Sequence, residues 1–231
     1  MKLMVTGPWN EMYQWNRELF SKEGFTLPVI RLISGKIRTG IWVAYHLFYY
    51  GKRIPDGGTY LELGSFVGGS LLCIYEATKL SGRSVNFIAI DSFVEPIGSI
   101  SHQSLVKEGL STEEWFHRFT NSIPRLTLIK ETTDNAKEKI KDNSVDLIFI
   151  DAGHTYEEVT KDLINYWPKL KKDGVLLGHD YRHISPKVVE AISDVFGRKE
   201  FVLPKNAQMF MVTKKIEEMK SQVSPVLVII P

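Results

Sequence analysis

The sequence predicts an α/β protein built on a mostly parallel sheet with helices on both faces. Short, nearly uninterrupted apolar runs recur after residue 58, as expected of strands buried on both sides. Longer stretches with helical spacing separate them, so strand and helix signals alternate. Polar residues sit at or near four of the strand ends: Glu62, Asp91, Asp151, and His179 with Asp180. A protein with only a core to maintain has no reason to gather acids at one edge, whereas ligands of α/β sheets bind outside the carboxyl ends of the strands.

Taken in order, residues 1–55 read as a helical cap. Met12, Tyr13, Trp15, Leu19 and Phe20 suit one helix face, and Gly24 to Pro28 breaks that pattern. Ile41 to Tyr50 is apolar and rich in aromatics (Trp42, Tyr45, Phe48, Tyr49, Tyr50), either packing on the main domain or walling a substrate pocket. Asp56-Gly57-Gly58 is a turn opening the main domain, residues 56–213. Strands are expected at Tyr60–Leu63, Val85–Ile90, Leu126–Ile129, Val145–Ile150 and Val175–Leu177. Phe201–Leu203 and Gln208–Thr213 form an antiparallel hairpin around Pro204-Lys205-Asn206. Ser92 to Ser111 carries Pro96, Gly98 and Gly109 and reads as a long loop; such loops are functional or disordered, and a functional one here would be a lid over the ligand anchored by Trp115, Phe116 and Phe119. Residues 214–231 are a tail whose apolar run, Val226 to Ile230, is expected to pack on a second subunit or the sheet edge, making a homo-oligomer.

Composition removes several function classes. Of 231 residues 43% are hydrophobic and 24% charged, and 29 basic against 27 acidic residues give +2. Neither nucleic acid nor an anionic membrane is implied by that balance. No stretch has the roughly 18 apolar residues of a membrane span. Trp9 to Phe20 is too polar for a secretory leader. Cys73, the single cysteine, falls in an apolar run and reads as a buried structural thiol in a reducing compartment, so a cytoplasmic location is expected.

The stretch Tyr60-Leu61-Glu62-Leu63-Gly64-Ser65-Phe66-Val67-Gly68-Gly69-Ser70 joins a strand to a helix through a glycine turn. Gly64 suits the tight turn, Gly68 a close ligand approach, and the helix start an anion. The spacing is not that of the dinucleotide fingerprint. Asp91 follows the turn by about 20 residues, the offset at which an acid meets a ribose. Further on, Val145 to Glu158 reads Val-Asp-Leu-Ile-Phe-Ile-Asp-Ala-Gly-His-Thr-Tyr-Glu-Glu, and Gly174 to Tyr181 reads Gly-Val-Leu-Leu-Gly-His-Asp-Tyr.

From about Thr59 to Thr213 this resembles the methyltransferase-24 family of class I S-adenosylmethionine (SAM) methyltransferases, related to the catechol O-methyltransferases and the macrocin-type sugar O-methyltransferases. The resemblance implies a Rossmann-like, seven-stranded sheet with an antiparallel last strand. It also implies SAM as cofactor and a small-molecule hydroxyl (a sugar, natural product or phenol) as acceptor. Glu62, Gly64, Ser65, Phe66, Gly68, Ser70, Asp91, Ser92, Thr133, Asp134 and Asp151 fall at cofactor-binding positions, with Asp91 on the ribose hydroxyls and Thr133 at the adenine. Thr133 and Asp134 equally suit a helix N-cap. Phe93, like Phe66, either borders the cofactor or belongs to the core.

Asp151 matches the first metal ligand of the catechol-type enzymes, and His179 and Asp180 match an adjacent Asp-Asn pair there. Histidine in place of a carboxylate departs from a set made for Mg²⁺ and suits a softer divalent ion. Alternatively His179 simply hydrogen-bonds Asp151. His154 occupies the place of the catalytic lysine, three residues past Asp151. A histidine there is apt as general base, and the other readings are a helix cap or a group that orients a ligand. On this reading Asp151 and His154 are the catalytic residues. Two rivals stand beside the enzyme: a SAM-binding partner protein without activity, and a nucleotide-dependent dehydrogenase.

Overall fold

The computed structural model describes residues 17–25, 41–94, 109–181, 185–197, 201–204 and 208–214. The expected Met12–Trp15 repeat, the lid between Ser92 and Ser111 from residue 95 to 108, and the Val226–Ile230 run lie outside the described residues.

The strands are β1 (Thr59–Leu63), β2 (Asn86–Ile90), β3 (Leu126–Ile129), β4 (Val145–Ile150), β5 (Leu170–Gly178) and β6 (Phe210–Thr213). They form one sheet in the order β3-β2-β1-β4-β5-β6, parallel except for β6 against β5. The α/β class and the antiparallel last strand are as expected. The strand count is corrected: six among the described residues, not seven. Phe201–Leu203 contributes only a single bridge, Val202 to Met211. Pro204, which has no N–H to donate, follows at once, and Leu203 is exposed. β5 starts five residues before the expected Val175, because Leu170 pairs with Val145 across an irregularity that absorbs the polar Lys171 to Asp173.

Alternation along each strand makes two cores. Tyr60, Phe87, Ala89, Leu147, Phe149, Leu177 and Met211 face one side with Phe20, Phe25 and the buried faces of α2 (Ile41–Gly51), α3 (Gly69–Leu80) and α4 (Thr112–Thr120). Leu61, Leu63, Ile148, Ile150, Leu176, Phe210 and Val212 face the other, under α6 (Tyr156–Tyr166) and α7 (Pro186–Phe196). A short helix, α5 (Thr133–Ala136), follows β3, and α1 (Arg17–Lys22) opens the described chain. The aromatic run of α2 divides as packing requires. Tyr45 and Phe48 are buried among Phe20 and Phe25, their rings 5.1–6.0 Å apart, while Tyr49 lies under the Arg53 guanidinium 3.3 Å from its centroid. Cys73 is fully buried in the same core. No helix among the described residues is long and apolar enough to cross a membrane.

Candidate active site

The sheet changes direction between β1 and β4, and at their carboxyl ends the chain leaves a cleft of about 370 Å³, within the range of small-molecule sites. Gly64, Phe66, Asp91, Ser92, Asp151 and His154 line it, joined at the β3 end by Glu131, Thr132 and Thr133.

Gly64 has φ +79°, and a Cβ there would meet the Asp151 carbonyl oxygen at 2.2 Å, so only glycine lets β1 turn against β4. Gly68 is glycine for a different reason from the one expected. With φ +85°, it turns its missing side chain toward Thr120 of α4 (2.4 Å from an added Cβ), not toward the cleft. The close neighbour is a helix, not a ligand.

Asp91 organises the centre of the cleft. One carboxylate oxygen accepts the Phe66 N–H and the other the Phe93 N–H, each at 2.7 Å. Both phenylalanines are left-handed (φ +47° and +53°), a conformation bulky residues adopt only when held. The acid thus ties the β1 turn to the segment after β2. Ser92, beside it, accepts the Val94 N–H.

Glu62, Ser65 and Ser70 lie beneath the turn and do not line the cleft. Glu62 is fully buried and accepts hydrogen bonds from the Tyr60 and Ser70 hydroxyls, the latter at 2.8 Å. Burial pushes its carboxyl up to about 8 despite those bonds. At the β3 end the cap of α5 is Thr132, whose hydroxyl accepts the Asn135 N–H, so Thr133 is free of that duty. Asp134 turns outward to Lys137 and Asn165 and is absent from the lining.

The β4 and β5 ends bring four titratable groups together. His154 Nε2 is 2.6 Å from Asp180 Oδ2, and His179 Nδ1 is 3.3 Å from both Asp151 Oδ1 and Asp180 Oδ2. His154 is not the helix cap: Thr155 caps α6 and completes a capping box with Glu158, leaving His154 to face the cleft. Asp180 has φ +58°, a bend that turns successive residues His179 and Asp180 toward the same carboxylate-rich spot. Among the described residues, ligand atoms of Asp151, His154 and Asp180 all come within 4.8 Å of one another, so His154 joins two of the three residues expected to hold a metal.

A family profile described as a methyltransferase domain, methyltransferase-24, matches residues 61–181, just over half of the chain. The chain belongs to the methyltransferase-24 family. Among relatives, the uncharacterized protein y4gI of Sinorhizobium fredii is 31% identical over 145 residues, covering 61% of this chain; the match spans only 14% of y4gI. Among solved structures, a Corynebacterium glutamicum protein superposes with a TM-score of 0.59 at 13% identity, covering 90% of this chain and 99% of its own. The O-methyltransferase NovP gives 0.56 at 18% identity, covering 77% and 81%. At such identities these superpositions establish a shared fold, that of a Rossmann-like methyltransferase.

In this methyltransferase-24 site the charges interlock. Burial would lower the His179 imidazole, but hydrogen bonds to Asp151 and Asp180 outweigh it and hold the ring protonated well above the usual histidine range. Burial would raise Asp180, yet His154 and His179 together hold it far below the usual carboxylate range. The hydrogen bond to Asp180 raises His154, against partial burial. Sequence reasoning missed two supporting residues on α6. Asp162 is 2% exposed, and Tyr166 donates its hydroxyl to the Thr133 carbonyl at 2.7 Å. The available signal was an acid on the apolar face of a helix otherwise buried through Val159, Leu163 and Tyr166.

Proposed function

We propose that the chain is a SAM-dependent O-methyltransferase for a hydroxyl of a small molecule. The His154–Asp180 pair on the rim of the Asp91 cleft carries this reading.

The residues present suit the cofactor. With strands about 4.8 Å apart, the sheet order sets out three neighbouring stations along the cleft. Asp91 at β2 presents a carboxylate to the ribose hydroxyls. The Glu131–Thr133 wall at β3 then takes the base, and the turn at Gly64 takes the methionine end, beside His154. Bound SAM supplies an electrophilic methyl group.

The protein's part is to align the acceptor oxygen and remove its proton. Nε2 of His154 faces Asp180, which fixes the tautomer: Nε2 carries the hydrogen and donates it to the carboxylate, leaving Nδ1 as the basic nitrogen. Nδ1 takes the hydroxyl proton, and Asp180 stabilises the resulting imidazolium. His179, protonated between Asp151 and Asp180, holds both carboxylates in place.

A second reading rests on the convergence of Asp151, His154 and Asp180. Two carboxylates and an imidazole suit a transition ion better than Mg²⁺, and such an ion would lower the acceptor's pKa. His154 would then be a ligand and not the base. Turnover with a panel of hydroxylated acceptors in EDTA decides: full activity supports the His154–Asp180 pair, and loss restored by one metal supports the ion. Absence of methyl transfer to any acceptor despite tight cofactor binding would leave the non-catalytic binder, and absence of SAM binding would sink the proposal.

A further inference from the structure

The His154 side chain is 56% exposed, so packing does not hold it in place. Asp180 fixes the tip of the ring through Nε2. The backbone beneath the ring is held by another residue. Glu158, in the first turn of α6, lines the cleft together with Gly153 and His154. Its Oε2 accepts the Thr155 N–H at 3.1 Å and the Thr155 hydroxyl at 2.8 Å. The same side chain lies against Gly153. A Cβ added there would stand 2.6 Å from Glu158 Cβ and Cδ and 2.7 Å from Oε2, so Glu158 fills the space a side chain at 153 would need. Glu158 thus touches the residues on both sides of His154. Helix capping alone does not ask for this. The cap of α4 is the same box, Ser111 with Glu114, and it too follows a glycine by two residues. There a Cβ on Gly109 would meet no described atom within 4 Å, and neither Ser111 nor Glu114 lines the cleft.

We propose that Glu158 is a positioning residue for the reaction: seated on Gly153 and bonded to Thr155, it fixes the backbone that carries His154. The ring is then held from two sides, at its tip by Asp180 and at its root by Glu158. The inference rests on the reading of His154 as the base. Proton removal needs the base within hydrogen-bond reach of the acceptor hydroxyl. Misplacing such a group by about 1 Å can cost about 10²-fold in rate.

The test compares four variants of the full chain with the wild type. Glu158→Ala empties the seat and Gly153→Ala fills it. Each should lower kcat about 10–100-fold, with acceptor KM and S-adenosylhomocysteine affinity near wild type. Glu158→Gln keeps an acceptor for Thr155 and should retain most of the turnover. Glu114→Ala removes the matching bonds from α4, so it should lower the melting temperature and leave kcat unchanged. A second readout needs no acceptor: proton–carbon NMR of the six histidine rings. The signal missing from His154→Ala should shift or broaden in Glu158→Ala and Gly153→Ala, and stay in place in Glu158→Gln and Glu114→Ala. Wild-type kcat or an unmoved His154 signal in Glu158→Ala overturns the inference. So does an equal loss of turnover in Glu114→Ala, which would mark a general effect of helix stability. Glu158→Gln as slow as Glu158→Ala also overturns it, because the charge and not the seat would then matter. If Glu158→Ala does not fold, Gly153→Ala decides by the same two readouts. Full turnover in His154→Ala would instead overturn the reading of His154 as base, and the inference with it.

Discussion

Replacing Asp91 by asparagine tests the centre of the site without changing its shape. The carboxylate has two oxygens, and each holds one backbone N–H at 2.7 Å from a left-handed phenylalanine. Asparagine keeps one acceptor and turns an NH₂ against the other N–H, so one of Phe66 and Phe93 loses its restraint. For the cofactor, a charge-assisted acceptor of ribose hydroxyls becomes a neutral one. Hydrogen bonds to charged groups contribute about 1.5–3 kcal/mol each, so S-adenosylhomocysteine should bind about 10–150-fold more weakly. Calorimetry of both proteins in one buffer measures this directly. A second readout is thermal melting: ligand stabilises by RT ln(1 + [L]/Kd), so the ligand-induced shift should collapse at concentrations that saturate the wild type. Unchanged affinity in Asp91→Asn would refute the placement of the ribose at β2, and with it the order of stations along the cleft.

Other outcomes follow from the same geometry. His154→Ala should lower turnover about 10²–10⁴-fold with little change in cofactor affinity; wild-type turnover would move the base elsewhere, His179 being next. Because Asp180 raises His154, activity should rise with pH through an apparent pKa above the usual histidine value, and Asp180→Asn should move that limb to lower pH while reducing the maximum. A pH–rate profile with the limb unmoved would separate His154 from Asp180. Glu62 is raised to about 8 in the folded chain, so its contribution is complete below the ordinary glutamate range and is lost as pH climbs toward 8. Glu62→Gln should therefore flatten urea stability between pH 5 and 8, and an equally steep decline in the variant would show that another group titrates. Deleting residues 224–231 should change the light-scattering mass or the solubility if the Val226–Ile230 run makes a subunit contact; identical behaviour would rule that contact out.

The sheet was legible because burial on both faces leaves a strong mark. β3 and β4 begin and end where their apolar runs do, and the acids beyond them stand where the cleft opens. What the apolar pattern missed is where pairing depends on tertiary partners. Leu170 joins β5 only through Val145, and Phe201–Leu203 is reduced to a bridge by the proline after it. The glycine turn shows the same division. Its position was readable, but Gly68 answers to Thr120, a residue some fifty positions away that no local motif names.

Side-chain roles divided in the same way. Asp91 and His154 stand at strand ends, where the residue type and the position together suggest chemistry. Thr133 and Asp134 are neighbours with the same capping chemistry, and the fold separates them: one lines the cleft, the other pairs with Lys137 in solvent. The four groups Asp151, His154, His179 and Asp180 come from two strand ends, and their partners follow from a backbone bend at Asp180 that spacing does not encode. That bend brings the Asp180 carboxylate within reach of both imidazoles. A left-handed aspartate is tolerated there because its short polar side chain is held by both imidazoles.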